Sequence, residues 1–339
     1  MRLSILDHSP VDFGGTPGDA LWATTRLAQK AEALGYERCW VAEHHQSDVQ
    51  AGSSPELLMM QIAAHTRTIR VGSGGIMLPH YSAYKVAETA RVLEALYPGR
   101  VDLGVGRAPG ADRRVTHALN DEKGRLLPFP VKLNDLKGLL LDDLDGTSLE
   151  ASSIHAAPRI STLPELHVLG ASGSTAELAA SEGFGFTFAH FINPHNQDGA
   201  AAADHYLSHF RPSKLHAEPS VIVTIFAVVA ETDAQAQTLA ISFDDWLLQA
   251  ESATPAHSLM PPDTVNPARY TAEERDRIRL NRKRVVIGDG PSALEQLRRV
   301  AAQYQTDQIM VIPMMPGEDN RQRAIEVLAA ANRESQCAA

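Results

Sequence analysis

A closed (β/α)8 barrel, the TIM-barrel architecture, is the fold that the sequence predicts. Strand-like and helix-like segments alternate along the whole chain, which implies parallel strands joined by helical crossovers. Eight such units share 339 residues, about 42 residues each, a length that suits a closed barrel better than a doubly wound open sheet. The run Ser220–Ala230 (SVIVTIFAVVA) is almost continuously apolar, as a strand buried on both faces must be.

The first strand is read over 3–7 (LSILD). A loop rich in glycine and proline follows from Pro10 to Gly18, then a helix from about Asp19 to Leu34, which Gly35 ends as a left-handed C′ residue. The second strand covers 38–43 (RCWVAE), and Pro55 opens the next helix, which runs to about His65. A third strand spans 69–78, followed by a helix over 84–96, a turn at 97–100 and a fourth strand at 101–106. From 107 to 164 the spacing loosens into a polar loop, a helix near 130–142, and a loop holding Asp142, Asp143 and Asp145. Strands at 166–170, 186–189 and 220–230 alternate with helices at 174–182, about 196–209 and 232–249. Pro255, Pro261, Pro262 and Pro267 interrupt 251–270, and 272–284 reads as a charged, peripheral helix. A helix at 291–304, the eighth strand at 308–313 and a helix at 318–333 complete the chain. Residues 1–339 thus read as a single domain, with insertions near 107–164 and 251–284 forming loops at the C-terminal face. With prolines breaking its first part and Glu273 to Arg284 poor in apolar anchors, 251–284 is the candidate for a mobile lid over the barrel mouth.

Hydrophobic residues at 44% and charged residues at 21% are an ordinary globular balance, which excludes disordered, collagen-like and coiled-coil chains. A formal charge of −10 without a lysine and arginine cluster argues against nucleic-acid and membrane-surface partners. The two cysteines, Cys39 and Cys337, make neither a disulfide scaffold nor a Cys-based zinc site. The opening MRLSILDHSP turns polar too soon for a secretion signal, and no window reaches the roughly 18 apolar residues of a membrane helix. A cytoplasmic protein without a metal site is the expectation.

In such a barrel the active site lies at the C-terminal ends of the strands. That rule selects Asp7 and His8, Glu43 to His45, Gly74 to Leu78, Gly106 and Arg107, Ala171 to Thr175, and His190 to Asn193. Glu43-His44-His45 reads either as a metal half-site or salt-bridged loop, or as one imidazole turned to the cavity as acid or base. Adjacent side chains on a strand point apart, which favours one ring inward and one outward over a chelating pair. The glycines of Gly72-Ser73-Gly74-Gly75 mark a bulge or the close approach of a ligand. Arg107 is a surface residue or an anion-binding one. Gly170-Ala171-Ser172-Gly173-Ser174-Thr175 leads from a strand into a helix, where small residues and three hydroxyls suit a phosphate, or else simple N-capping. His190 faces the cavity or fills space. Gly104-Val105-Gly106 lacks the third glycine of a dinucleotide fingerprint, and no HExxH, GxSxG or P-loop occurs.

At these same residues the chain resembles the bacterial luciferase-like flavin monooxygenases, in their short single-chain branch. The resemblance rests on VAEHH at 41–45, VGSGGIMLPHY at 71–81, LYPGRVDLGVGRAPG at 96–110, LGASGSTAELAA at 169–180 and FAHFINP at 188–194. It implies a (β/α)8 barrel that uses reduced FMN and O2 to oxygenate a small organic substrate through a C4a-peroxyflavin. A separate flavin reductase and a homodimer are implied as well. Some branches instead use coenzyme F420 for hydride transfer, and a flavin-binding protein without catalysis is a further alternative. The resemblance makes His44 the catalytic histidine. It puts a non-proline cis peptide at Gly74–Gly75 beneath the flavin ring, and Arg107 with Ala171, Ser172 and Thr175 around the phosphate. His8, His45 and His190 are left as candidates for the substrate pocket. Ala171 stands where the light-emitting subunit has an acidic residue, which argues against light emission.

Overall fold

A computed structural model describes residues 1–107, 113–120, 127–192, 199–252 and 258–337. The first half alternates β1 (Arg2–Asp7), α1 (Pro17–Leu34), β2 (Arg38–Val41), α2 (Pro55–His65), β3 (Arg70–Ser73), β4 (Ile76–Met77), α3 (Ala83–Leu96) and β5 (Val101–Gly106). Next come α4 (Arg113–Asn120), α5 (Phe129–Leu141), β6 (Glu165–Gly170), α6 (Gly173–Glu182), β7 (Gly185–Ala189), α7 (Gly199–His209) and β8 (Val221–Ala230). The chain ends with α8 (Asp233–Ala250), α9 (Ala272–Asn281), β9 (Val285–Asp289), α10 (Gly290–Gln303), β10 (Gln308–Pro313) and α11 (Glu318–Cys337). β1 pairs in parallel with both β2 and β10, and β10 pairs with β8, so the eight-stranded (β/α)8 barrel closes as predicted.

Local chemistry explains the element ends. Thr16 caps α1 in a reciprocal box with Asp19, and Gly35 ends it with φ of 83°. Inside the barrel, Trp40 on β2 reaches His167 on β6, with ring centroids 5.2 Å apart. Below them, Arg38 donates to Asp102 (2.7 Å) and Glu165 (2.9 Å), and the Trp40 indole N–H donates to Asp102 (2.8 Å). A Cβ at Gly185 would strike the His167 ring, so glycine there makes room for it. These side chains begin β2, β5 and β6 and so plug the N-terminal end of the barrel, leaving the opposite end for chemistry.

Four readings need correction. The predicted strand over 69–78 is two pieces, β3 and β4. The 107–164 insertion contains α4, which polar composition concealed, and β9 occupies residues that the sequence left unassigned. Ile222–Thr224 of β8 pair with both β7 and β10, whereas Phe226 and Ala227 pair with both β9 and β10. β9 therefore extends the same edge of β8 as β7, beyond the end of β7. Finally, α8 is not the seventh helix of the outer ring. Both helices pack on β8 and β9, but α8 turns to α9, while α10 lies beside α11, the last helix of the ring, and reaches β10. The excursion at the mouth thus begins at α8 rather than at 251.

α8 itself packs on the core through Phe243, Trp246 and Leu247, but beyond it the excursion is docked by charge rather than by apolar contact. Arg282 grips Asp244 through Nε (3.1 Å) and Nη2 (2.6 Å), and Tyr270 donates to Asp245 (2.9 Å). Glu251 accepts from Arg277 (2.7 Å), Asn281 (2.9 Å) and Arg284. Buried Arg284 also donates to the carbonyls of Phe191 (3.1 Å) and Ile192 (2.7 Å), tying the excursion to the loop after β7. The shortage of apolar anchors in 273–284 is real, but it does not leave the segment undocked. Asn193 and Pro255 lie outside the described residues, as do Ala108 to Gly110.

Candidate active site

His8 leaves the end of β1, and His44 follows β2 by three residues. Their ring centroids are 5.0 Å apart with the planes tilted by 56°. The Gln50 amide Nε2 donates to His8 Nδ1 (3.3 Å), so the neutral ring carries its proton on Nε2. The His44 backbone N–H donates to the Gly52 carbonyl (2.8 Å), which fixes the loop. Its Nδ1 is buried without a partner among the described residues. Burial pushes both imidazoles down, His44 to about 4, with His45 adding to the effect on His44 and His44 to that on His8. Both rings are therefore neutral at pH 7. Phe191 and Phe226 stand steeply across His8, at 5.8 and 6.2 Å.

His45 turns the other way. Its Nε2 lies 2.7 Å from Glu43 Oε1, and Glu43 also accepts from the Tyr81 hydroxyl (2.7 Å) and the Met77 N–H (2.9 Å). Glu43 is only 1% exposed, so each of its bonds satisfies a carboxylate taken out of water. From the far side, Lys132 on α5 donates to the carbonyls of Pro79 (2.7 Å) and Tyr81 (2.8 Å). Residues 77–81 are thus staked from two directions.

Just before them the Gly74–Gly75 peptide is cis. Gly72 pairs with Asp102 but Ile76 with Val105, so three residues on this strand oppose two on β5. Ser73 fills the mismatch by donating to the Gly104 carbonyl (2.8 Å) and accepting its N–H (3.1 Å). A Cβ at Gly72 would strike the Trp40 indole, and one at Gly75 would lie 2.9 Å from the Gly104 carbonyl. These two glycines are required by the packing of the protein on itself, whatever binds above them.

β5 and β6 pair from Asp102–Glu165 to Gly106–Leu169, so Arg107 and Gly170 leave adjacent strands side by side. Arg107 is exposed. Ala171 is half-buried against the core. Ser172 stands at the N-cap of α6, yet its side chain makes no capping bond. Its hydroxyl lies 3.1 Å from those of both Ser174 and Thr175. A Cβ on Gly173 would meet nothing, while one on Gly170 would collide with Thr175, so the three hydroxyls gather under an open helix N-terminus. Free N–H groups and the helix dipole favour an anion there.

His190 differs from the other candidates. Its Nδ1 is 2.8 Å from the Tyr304 hydroxyl and its Nε2 is 3.3 Å from the Lys283 carbonyl, so both nitrogens are spent on protein. Sequence reasoning missed Gln50, Tyr81 and Lys132. Only Lys132 left a signal, as a lysine on the apolar stripe of α5 between Phe129 and Leu136. Among the described residues, no three His, Cys, Asp or Glu side chains gather to hold a metal.

Comparison with known proteins gives this mouth a context. The family model for luciferase-like monooxygenases matches residues 1–306. The chain belongs to that family. It is 43% identical to protein YwcH of Bacillus subtilis, over 98% of this chain and 99% of that one. It is 35% identical to the N-acetyl-S-alkylcysteine monooxygenase of Bacillus subtilis, over 98% of each. The crystal structure of apo-MsnO8 superposes with a TM-score of 0.86 at 35% identity, over 98% of each chain. The fold alone is shared with the oxygenating constituent of 3,6-diketocamphane monooxygenase from Pseudomonas putida in complex with FMN (TM-score 0.70, 15% identity, 97% of this chain and 96% of that one). The same holds for an F420-dependent secondary alcohol dehydrogenase (TM-score 0.67, 14% identity, 97% and 98%). Among the described residues, no helix is long and apolar enough to cross a membrane.

Proposed function

We propose that this protein is an FMN-dependent monooxygenase that uses reduced FMN and O2 to oxygenate a small organic substrate. The observation that carries the choice of cofactor is the cradle at α6. Ser172 forgoes its cap and presents its hydroxyl beside those of Ser174 and Thr175, next to the strand that delivers Arg107. Three hydroxyls gather there and the adjacent strand ends at Arg107, and the residues present fit the phosphate end of FMN. The orphaned Nδ1 of His44 fits a polar partner that the protein does not itself supply.

When bound, reduced FMN supplies the electrons that activate O2. The chain's own residues do the rest. Ser172, Thr175 and Arg107 anchor the phosphate. The backbone around Gly74–Gly75, held from behind by Glu43 and Lys132, supports the ring. His44, neutral at pH 7, accepts or returns a proton at its nitrogens. Phe191, Phe226 and the excursion wall off water, which such chemistry needs. His8 faces the organic substrate, and His45 acts through Glu43. The reduced flavin comes from a separate reductase in the cytoplasm. Trp22, Leu57 and Val92, 52%, 69% and 43% exposed, line adjoining grooves on α1, α2 and α3 and support a homodimer. Light scattering should then give twice the chain mass.

The test is to mix the purified protein with FMN, a flavin reductase and NADH as electron donor under 18O2, with a panel of thioethers, ketones and aldehydes. Mass spectrometry should find one 18O atom in a product. Oxidation of F420H2 without O2 uptake would point to hydride transfer instead, and FMN binding without any turnover to a non-catalytic binder.

A further inference from the structure

Besides the residues proposed to hold the flavin, the mouth has a second polar feature. His8 is 5% exposed, and its Nδ1 is occupied by the Gln50 amide. Its Nε2–H finds no partner among the described residues, although Phe191, Phe226 and His44 crowd the ring. The wall is continuous outward. Phe226 meets Phe191 (5.3 Å), Phe243 (5.2 Å) and Trp246 (6.1 Å), the last two from α8 of the excursion. A hydrogen-bond donor set in an aromatic wall is the common design of a pocket that orients an apolar ligand by one polar contact.

We propose that His8 is the specificity residue for the organic substrate, donating its Nε2–H to a neutral oxygen or sulfur acceptor on a molecule whose apolar body lies against Phe191 and Phe226. The proposal rests on the reading of this mouth as the oxygenation site and adds the chemical class of the substrate. An anionic group is disfavoured here. A buried anion calls for a counter-charge, and the second ring proton on Nδ1 that would make His8 an imidazolium would displace the Gln50 bond. Burial and the neighbouring His44 also oppose that charge. No carboxylate offsets it; Asp7, its neighbour in the chain, accepts the Ser9 N–H (3.2 Å). The favoured ligand is therefore an apolar ketone, ether or thioether, with its acceptor near the reacting centre beside His44.

Three probes of one size separate the alternatives: acetophenone, ethylbenzene and benzoate. Their binding is read by tryptophan fluorescence, with Trp246 against Phe226, on protein with and without FMN at pH 7.5. Wild-type protein should bind acetophenone about three- to tenfold tighter than ethylbenzene, the worth of one net hydrogen bond, with benzoate weakest. His8→Phe should erase the preference, and His8→Gln, which keeps an N–H donor, should retain part of it. The His8 ring resonances of wild-type protein should shift with acetophenone and not with ethylbenzene, a readout that needs no variant. FMN affinity should be unchanged in both variants. Equal binding of acetophenone and ethylbenzene, tightest binding of benzoate, no binding of acetophenone, or a preference that survives His8→Phe would each overturn the proposal. So would a loss of FMN affinity in His8→Phe, which would make His8 a cofactor contact. Failure of wild-type protein to bind FMN would instead sink the monooxygenase reading, and the probe series without FMN would still judge His8.

Discussion

Thr175 is buried beneath the N-terminus of α6 with its hydroxyl 3.1 Å from that of Ser172. Thr175→Val keeps the shape and removes the hydroxyl, so FMN binding should weaken by about 1 kcal/mol, with little change in the urea midpoint. Arg107→Ala should cost on the order of 1–3 kcal/mol of FMN affinity, the range of a charge-assisted bond. Isothermal titration checks both, and unchanged affinities would remove the cradle from the cofactor site. Glu43→Gln places an amide N–H against donors that need an acceptor. It should destabilise the protein by about 1–3 kcal/mol in urea melts. At this scale the sequence was legible where a strand end delivers its residues to the barrel mouth. His44 and His45 meet different partners, His8 and Glu43, although both lie past the end of β2 and not within its alternation. It was illegible where partners come from elsewhere in the chain. Nothing local tells that Gln50 meets His8 or that Tyr81 meets Glu43. Nor could glycine content show that Gly72 yields to Trp40 rather than to a ligand.

Among the elements, strands announced themselves through apolar runs, and the β5, β8 and β10 ranges match the reading within a residue. Two kinds of error remained. A one-residue bulge at Ser73–Gly75 splits a strand without altering its apolar composition. Helix order along the chain also does not say which helix lies in the outer ring, since α8 and α10 are both amphipathic enough to serve. Beyond α8, the excursion as far as β9 is held largely by charged groups, whose pairing no periodicity reveals. Its weak point is Glu251, which receives Arg277, Asn281 and buried Arg284. Glu251→Gln leaves Arg284 without its counter-charge, at a cost on the order of 3 kcal/mol. Hydrogen exchange should then accelerate across 272–284 and at Phe191–Ile192, while β1 and β8 remain protected. Unchanged exchange in 272–284 would show that this ion cluster does not hold the excursion.

For the molecule as a whole, five histidines whose pKa is lowered set the acid limit. Burial lowers the pKa of His8, His44, His167, His190 and His216, with His44 and His216 at about 4. Unfolded, each returns to about 6.5, so between about 6.5 and 4 the unfolded chain binds more protons. Stability is therefore full above pH 6.5 and falls as the pH drops toward 4, by up to about 1.4 kcal/mol per pH unit for each proton of difference. Glu165, lowered by His167, Arg38 and Arg70, extends the loss below its ordinary range, while Asp7 and Asp244, raised by burial, act in the opposite sense. If 1–339 folds as one domain, urea melts should show one transition whose midpoint drops from pH 7.5 to pH 5. A midpoint independent of pH would contradict the neutral histidines. The central claim is that the mouth binds FMN through its phosphate at α6 and Arg107, and a paired titration of FMN and riboflavin tests it most directly. Wild-type protein should bind FMN at least about tenfold tighter than riboflavin, as one or more charge-assisted bonds require, and Arg107→Ala and Thr175→Val should narrow the gap. Equal affinity for the two flavins in wild-type protein would contradict the account.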